Sequence, residues 1–135
     1  MFALGVSDHV MIAHSFRDPF FGPAQRLHGA TYAVEAVVEA ASLGPHAVVM
    51  DIGALRDLLR EVLVALDYTN LDDHPAFPGR TSTTERVAEH VATELAGKIV
   101  TMRADAAPPL PAKLRVILRE SPVAWASFEL VLASP

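Results

Sequence analysis

Two histidines, an isolated acid and a Ser-Thr-Thr-Glu tract are the residues of this chain best equipped for chemistry. His14 closes one apolar segment, and His28 sits in the run 20–32 that leads into another. Imidazoles in strands can hold a metal, carry a proton, or bond to backbone or water inside a core. Asp67 and Tyr68 adjoin in the run 66–77 and, with His28, form the set of candidate proton carriers. A free tyrosine side chain titrates at about pH 10 in water, so Tyr68 is a poor base at neutral pH. Ser82-Thr83-Thr84-Glu85 has the form of a capping box, with a serine that accepts from the amide three residues on and a glutamate that reaches back. Glu120 falls in alternation with Leu114, Val116 and Leu118. An acid on an otherwise apolar face needs a partner, which favours a ligand anchor over a solvated strand end. His9, His46, His74 and His90 show no metal-ligand spacing and read as surface residues.

The elements that must position these groups follow from periodicity. Residues 2–16 read as a strand with Val10, Ile12 and His14 on one face and Met11 and Ala13 on the other. Residues 31–41 read as a second strand, with Tyr32, Val34, Ala36 and Val38 inward and Glu35 and Glu39 on a wetter face. The connection 17–27 carries two prolines and a glycine and reads as a structured loop. Residues 51–66 form the clearest helix, since Ile52, Leu55, Leu59, Val62, Leu63 and Leu66 recur at three- and four-residue spacing. A proline-bearing loop spans 70–80. A second helix starts from Ser82, with Val87, Val91 and Leu95 as its stripe. Residues 98–102 read either as a short strand or as a helix tail, with Pro108, Pro109 and Pro111 excluding regular structure behind them. Residues 114–120 and 123–132 read as two strands broken at Ser121-Pro122, with Arg115 and Arg119 facing away from the core.

Strands, then helices, then strands give an α+β class: a four-stranded antiparallel sheet with two helices on one face and the other face open. A length of 135 residues fits one domain, 1–135, with one core. The absence of cysteine excludes a disulfide, a thiolate zinc knuckle and a cysteine nucleophile. A net charge of −5 argues against nucleic acid. No apolar run approaches the roughly 20 residues that span a bilayer, and the first 16 residues lack a cationic leader, so a cytoplasmic setting without membrane attachment is expected. The high apolar content of so short a chain favours self-association.

Six fragments in order resemble the 6-pyruvoyl tetrahydropterin synthase / 6-carboxytetrahydropterin synthase family, of the tunnelling fold. They are Ile12-Ala13-His14; Phe20-Phe21-Gly22-Pro23-Ala24 followed by Leu27-His28-Gly29-Ala30-Thr31-Tyr32; Val48-Val49-Met50-Asp51; Leu66-Asp67-Tyr68-Thr69-Asn70-Leu71-Asp72; Ser82-Thr83-Thr84-Glu85; and Arg119-Glu120-Ser121-Pro122. The resemblance implies trimers that close their sheets into a twelve-stranded barrel and stack in pairs into a hexamer, with the ligand site between subunits. It also implies a pterin-like, guanine-derived ligand gripped by Glu120, with Thr83 and Thr84 holding the ring.

The departures from the family pattern bear on catalysis. Two of the family's three zinc histidines match His14 and His28, while the third matches Ala30. The family's cysteine matches Ala24 and its activating histidine matches Tyr68, which leaves Asp67 from that triad. Two imidazoles and a methyl group do not make a permanent zinc site, so no metal cofactor is expected, and His14 and His28 are read as lining a pocket. The expectation is therefore a ligand-binding homologue without the family's synthase reaction, in which Tyr68 fills vacated space. Two alternatives stand beside it: a zinc-dependent lyase of the 6-carboxytetrahydropterin type with an unforeseen third ligand, and a structural oligomer without a ligand.

Overall fold

A computed structural model describes residues 1–103 and 111–132. Strands β1 (Phe2–His14) and β2 (His28–Ala40) pair antiparallel over their whole length, from Phe2 opposite Ala40 to His14 opposite His28. After β2 come helix α1 (Ile52–Val64), a two-residue strand β3 (Thr69–Asn70), helix α2 (Thr84–Arg103), and the hairpin β4 (Lys113–Ser121) and β5 (Ala124–Val131). The sheet order is β3-β1-β2-β4-β5. The expected four-stranded sheet is thus a five-stranded one, because Thr69 and Asn70 pair parallel with Ile12 and Ala13. Two residues carry no periodicity, so nothing in the sequence separates that strand from the loop around it.

The alternation places the core as expected. Val10, Ile12, Tyr32, Val34, Ala36, Val38, Leu114, Val116 and Leu118 are buried on one sheet face. Leu55, Leu59, Val62 and Leu63 of α1 and Val87, Val91 and Leu95 of α2 close over them, whereas Ile52 at the start of α1 stays exposed. Asp51 caps α1 by accepting from the Ala54 amide (2.8 Å).

Several boundaries differ from the expected ones. β2 starts at His28, three residues before Thr31, since pairing with the end of β1 holds the Gly-containing start in the sheet. The 17–27 connection contains 3-10 turns over Pro19–Gln25, kinked at Gly22, which takes φ 54°. Residues 98–102 are helical, as the tail of α2. Pro108 and Pro109 lie outside the described residues.

The helix cap is also corrected. Thr83, not Ser82, caps α2: its Oγ1 accepts from the Arg86 amide (3.2 Å), and its carbonyl accepts from Val87 (2.9 Å). The capping box is one residue out of register, because the Ser82 side chain is taken by a buried imidazole.

The segment after α1 is pinned to the edge of β1. Asp67 Oδ1 accepts from the Met11 amide (2.9 Å), Asp67 Oδ2 accepts from Arg60 (3.0 Å), and the Tyr68 amide donates to the Met11 carbonyl (2.7 Å). Arg60 also donates to Asp8 (3.0 Å). Asp67 is thereby a joint between α1 and β1. Asp67→Ala should lower unfolding free energy by about 1 kcal/mol, with Asp67→Asn costing less because it keeps an acceptor for the amide. Urea unfolding checks this, and an alanine variant as stable as the parent would remove the structural role.

Candidate functional site

The site lies where the ends of β1, β2 and β4 meet the start of α2. His14 and His28 face each other across the last rung of the β1–β2 ladder, with ring centroids 4.6 Å apart in an edge-to-face arrangement. His14 is buried, and its Nδ1 lies 3.0 Å from both the carbonyl and the Oγ of Ser82. A carbonyl only accepts, so Nδ1 carries the proton there and Nε2 is the free nitrogen. The same logic applies to His28, whose Nδ1 is 2.7 Å from the Arg26 carbonyl. Both imidazoles therefore keep Nε2 available for a ligand or a proton.

Burial, and next the neighbouring His28, lower the pKa of His14 below its ordinary 6.5, against smaller opposing effects of the Ser82 carbonyl, Asp72 and Glu120. Asp72 in turn ties down the end of β1, accepting from the Ser15 amide (2.9 Å) and hydroxyl (2.6 Å).

The second half of the site is a chain of oxygens. Thr84 is buried at the first turn of α2 and donates its hydroxyl to Glu120 Oε1. Tyr32, buried in β2, meets the Thr84 hydroxyl from below. Burial pushes the Tyr32 phenol up to about 12, against the smaller lowering effect of its hydrogen bond with Thr84 and with the Glu120 and Glu85 carboxylates adding a little, so it stays protonated and donates. Glu120 sits in the register shift between Arg119 and Ser121, a bulge that aims its carboxylate at Thr84. One carboxylate oxygen is fixed by Thr84 and the residue remains open to solvent, a geometry that presents an acceptor pair to an incoming donor edge.

The structure thus brings together His14, His28, Thr84 and Glu120, with Thr83 adjoining as the cap. It does not bring in Asp67 and Tyr68. Asp67 is committed to Met11 and Arg60, and Tyr68, at φ 58°, projects outward with 81% of its surface exposed. The Tyr68 ring therefore fills no vacated space within its own chain. Tyr32 and Ser82 were missed as site residues. Tyr32 was visible only as an inward-facing strand residue, and Ser82 was absorbed by the cap reading.

Zinc does not fit the residues present. Ala30, two positions along β2 from His28, offers no donor. Among the described residues no group of three or more His, Cys, Asp or Glu side chains is placed to hold a metal.

Two other histidines read as surface residues are half-buried. His74, His90 and Phe77 pack together, with His74 and His90 rings 5.3 Å apart. Burial chiefly lowers the pKa of His90 below 6.5, with His74 adding to the shift and Glu94 opposing it. The unfolded chain therefore binds protons more readily than the folded one just below pH 6.5. The stability that neutral His14 and His90 contribute is complete above that pH and is lost as the pH falls through their lowered values. Thermal unfolding should show Tm falling on acidification from pH 7.5, with a shallower fall in His90→Gln. A Tm slope unchanged by that substitution would refute the assignment.

No helix among the described residues is long and apolar enough to cross a membrane. No curated protein matches the chain. Among solved structures, 6-pyruvoyl tetrahydropterin synthase from Caenorhabditis elegans is 20% identical, with a TM-score of 0.73 over 94% of each chain. A catalytic-residue mutant of the Plasmodium vivax 6-pyruvoyltetrahydropterin synthase is 17% identical, with a TM-score of 0.74 over 96% of this chain and 97% of that one. An uncharacterized protein from Wolinella succinogenes is 14% identical, with a TM-score of 0.66 over 94% and 97%. These likenesses establish the α+β tunnelling fold. The sequence model of the family described as 6-pyruvoyl tetrahydropterin synthase matches residues 3–130, and the chain belongs to that family.

Proposed function

We propose that this chain is a cytoplasmic, single-domain pterin-binding member of the family that does not carry out the synthase reaction. The observation that carries the reading is the Glu120 carboxylate, aimed by a bulge and held by Thr84 beside the His14–His28 pair. A pterin presents N3–H and a 2-amino group side by side, and a carboxylate accepts both at once. Tyr32 supports the arrangement from beneath by donating to the Thr84 hydroxyl, which leaves the threonine proton for Glu120. The Thr83 hydroxyl accepts from the Arg86 amide and keeps its own proton for a ligand.

The synthase chemistry needs a Lewis acid to polarise the substrate side chain and a base to move protons. Here the cysteine position is Ala24, the third zinc position is Ala30, and the activating histidine position is Tyr68. Of the three candidate proton carriers only His28, with its free Nε2, stands in the site, since Asp67 is bound to Arg60 and Tyr68 turns outward.

A hexamer built as two stacked trimers goes with the edges of the sheet. β3 covers β1 only at Ile12 and Ala13, and the outer edge of β5 has no partner strand among the described residues. Exposed Phe2, Trp125 and Val131 lie on these two edge strands, where strand pairing between copies would cover them. Tyr68, exposed beside β1, would then reach toward a neighbouring copy. Titration calorimetry with neopterin tests the ligand reading, and absence of binding by the oligomer would overturn it.

A further inference from the structure

The segment between β3 and α2 is fastened at two points. Near its start, Asp72 accepts from the Ser15 amide (2.9 Å) and hydroxyl (2.6 Å), one residue beyond His14 of the ring site. Further along, Phe77 is buried against two imidazoles, its ring 5.4 Å from those of His74 and His90. His90 belongs to α2, so this cluster ties the turn 74–77 to the helix. The turn is closed by the Phe77 amide, which donates to the His74 carbonyl (3.0 Å), and by the Ala76 amide, which donates to His74 Nδ1 (3.0 Å). The His74 amide caps the 3-10 turn Leu71–Asp73 by donating to the Leu71 carbonyl (3.0 Å), so a shift of His74 reaches Asp72 through one turn.

An amide only donates, so His74 Nδ1 is an acceptor and the ring carries its one proton on Nε2. A second proton enters only at Nδ1, where it meets the Ala76 N–H and breaks that hydrogen bond. The neighbouring ring opposes it as well. His74 and His90 lie 5.3 Å apart, edge to face, and two protons would set two cations side by side against Phe77. From α2, Glu94 favours a charge on His90, whereas Arg86 and Glu89, which line the cleft beside His90, neutralise one another (2.8 Å). β5 contributes the uncharged Phe128 to that cleft. On the turn's own segment Asp72 is committed to Ser15 and Asp73 is exposed. Among these groups Glu94 alone is placed to offset two imidazolium charges. The turn closed on α2 thus binds fewer protons than the turn released, and acid favours release.

We infer that the His74–His90 pair is an acid-sensitive latch on the ring site: taking up protons below neutral pH, it releases the turn 74–77 from α2, loosens the grip of Asp72 on Ser15 and lowers ligand affinity. The inference rests on the pterin reading for the ligand, but the latch has a readout of its own in the Ser15 amide.

Hydrogen exchange at pH 7.5 and 5.0, corrected for the intrinsic pH dependence of exchange, tests the latch. In the parent, protection of the Ser15, Ala76 and Phe77 amides should drop about tenfold at the lower pH, as expected when opening takes up protons. Calorimetry should show neopterin binding weaken by a similar factor. His74→Asn keeps an acceptor for the Ala76 amide, as Asn70 does for the Asp72 amide two residues on (3.0 Å), and does not titrate. His90→Gln removes the charge on α2. Each variant should shrink both falls, and the double variant should hold both below about twofold while keeping the parent's affinity at pH 7.5. Any other titration in the site is shared by parent and variants, so the difference between them reads the latch alone. Protection that does not change with pH in the parent, or falls that survive in the double variant, overturns the inference. So does protection that falls while neopterin affinity holds. If neopterin binds at neither pH while the Ser15 amide loses protection in the parent and keeps it in the double variant, the latch stands and the pterin reading falls.

Discussion

Glu120→Gln should weaken neopterin binding by about a hundredfold while leaving the fold intact, the loss expected when a charge-assisted pair of hydrogen bonds is broken and a donor is set against a donor. Glutamine is nearly isosteric with glutamate. Its carbonyl oxygen can still accept from the Thr84 hydroxyl, so the bulge at Arg119 and Ser121 and the packing beneath it are kept. What changes is the second position of the acceptor pair, where an amide NH2 now meets the N3–H or the 2-amino group. The effect should also depend on the ligand. Lumazine carries an oxygen in place of the 2-amino group, so the parent chain should reject it strongly and the Gln variant should discriminate far less. Calorimetry on the four combinations reads both effects. Undiminished neopterin affinity in Glu120→Gln, with Tm unchanged, would mean that the carboxylate is not the anchor, and the ring site would have to be sought elsewhere.

Alternation singled out Glu120 in the sequence as an acid on an apolar face, and the structure corrects that premise. Leu114, Val116 and Leu118 are fully buried, and alternation alone would put Glu120 in phase with them; the register shift at Arg119 and Ser121 instead leaves Glu120 exposed at the rim, bonded to Thr84. The helices and long strands were legible because each has a face that must be apolar. What was not legible depends on contacts between segments distant in sequence. The parallel strand Thr69–Asn70 exists through its pairing with Ile12 and Ala13. The shift of the α2 cap from Ser82 to Thr83 follows from a hydrogen bond to His14, 68 residues away. Within the segment itself, serine and threonine caps are nearly equivalent, and only the buried imidazole chooses between them. Asp67 and Tyr68 were grouped with His28 by the family resemblance, yet β1 separates their roles: the Met11 amide and carbonyl hold the Asp67–Tyr68 turn at the sheet edge. The half-burial of His74 and His90 likewise needs Phe77 and the far side of α2, which no local pattern encodes.

Ala30→His should convert the chain into a zinc binder, the largest single gain of function that this site allows. His14 and His28 already have the features of first ligands: each Nδ1 is held by a backbone carbonyl, which fixes the tautomer and leaves Nε2 as the lone-pair nitrogen. Ala30 is two residues beyond His28 on β2, so its side chain falls on the same sheet face, opposite Ile12 in the pairing. A histidine there supplies the third nitrogen that a tetrahedral site needs, with water as the fourth ligand. Binding to the folded chain alone raises stability, by about 2.7 kcal/mol when free zinc is a hundredfold above its dissociation constant. Thermal unfolding with and without zinc should therefore show a large Tm increase in Ala30→His and little change in the parent. Because zinc ligands must be deprotonated, the increase should shrink as the pH falls below the range where histidine is neutral. The lowered pKa of His14 should keep that imidazole available to lower pH than an ordinary one. Zinc analysis of the parent chain purified without chelator completes the test. Near-stoichiometric metal there would show that a third ligand exists outside the residues named, and the non-catalytic reading would give way to a zinc-dependent lyase. A parent free of zinc beside a loaded Ala30→His variant would locate the loss of the metal in one methyl group.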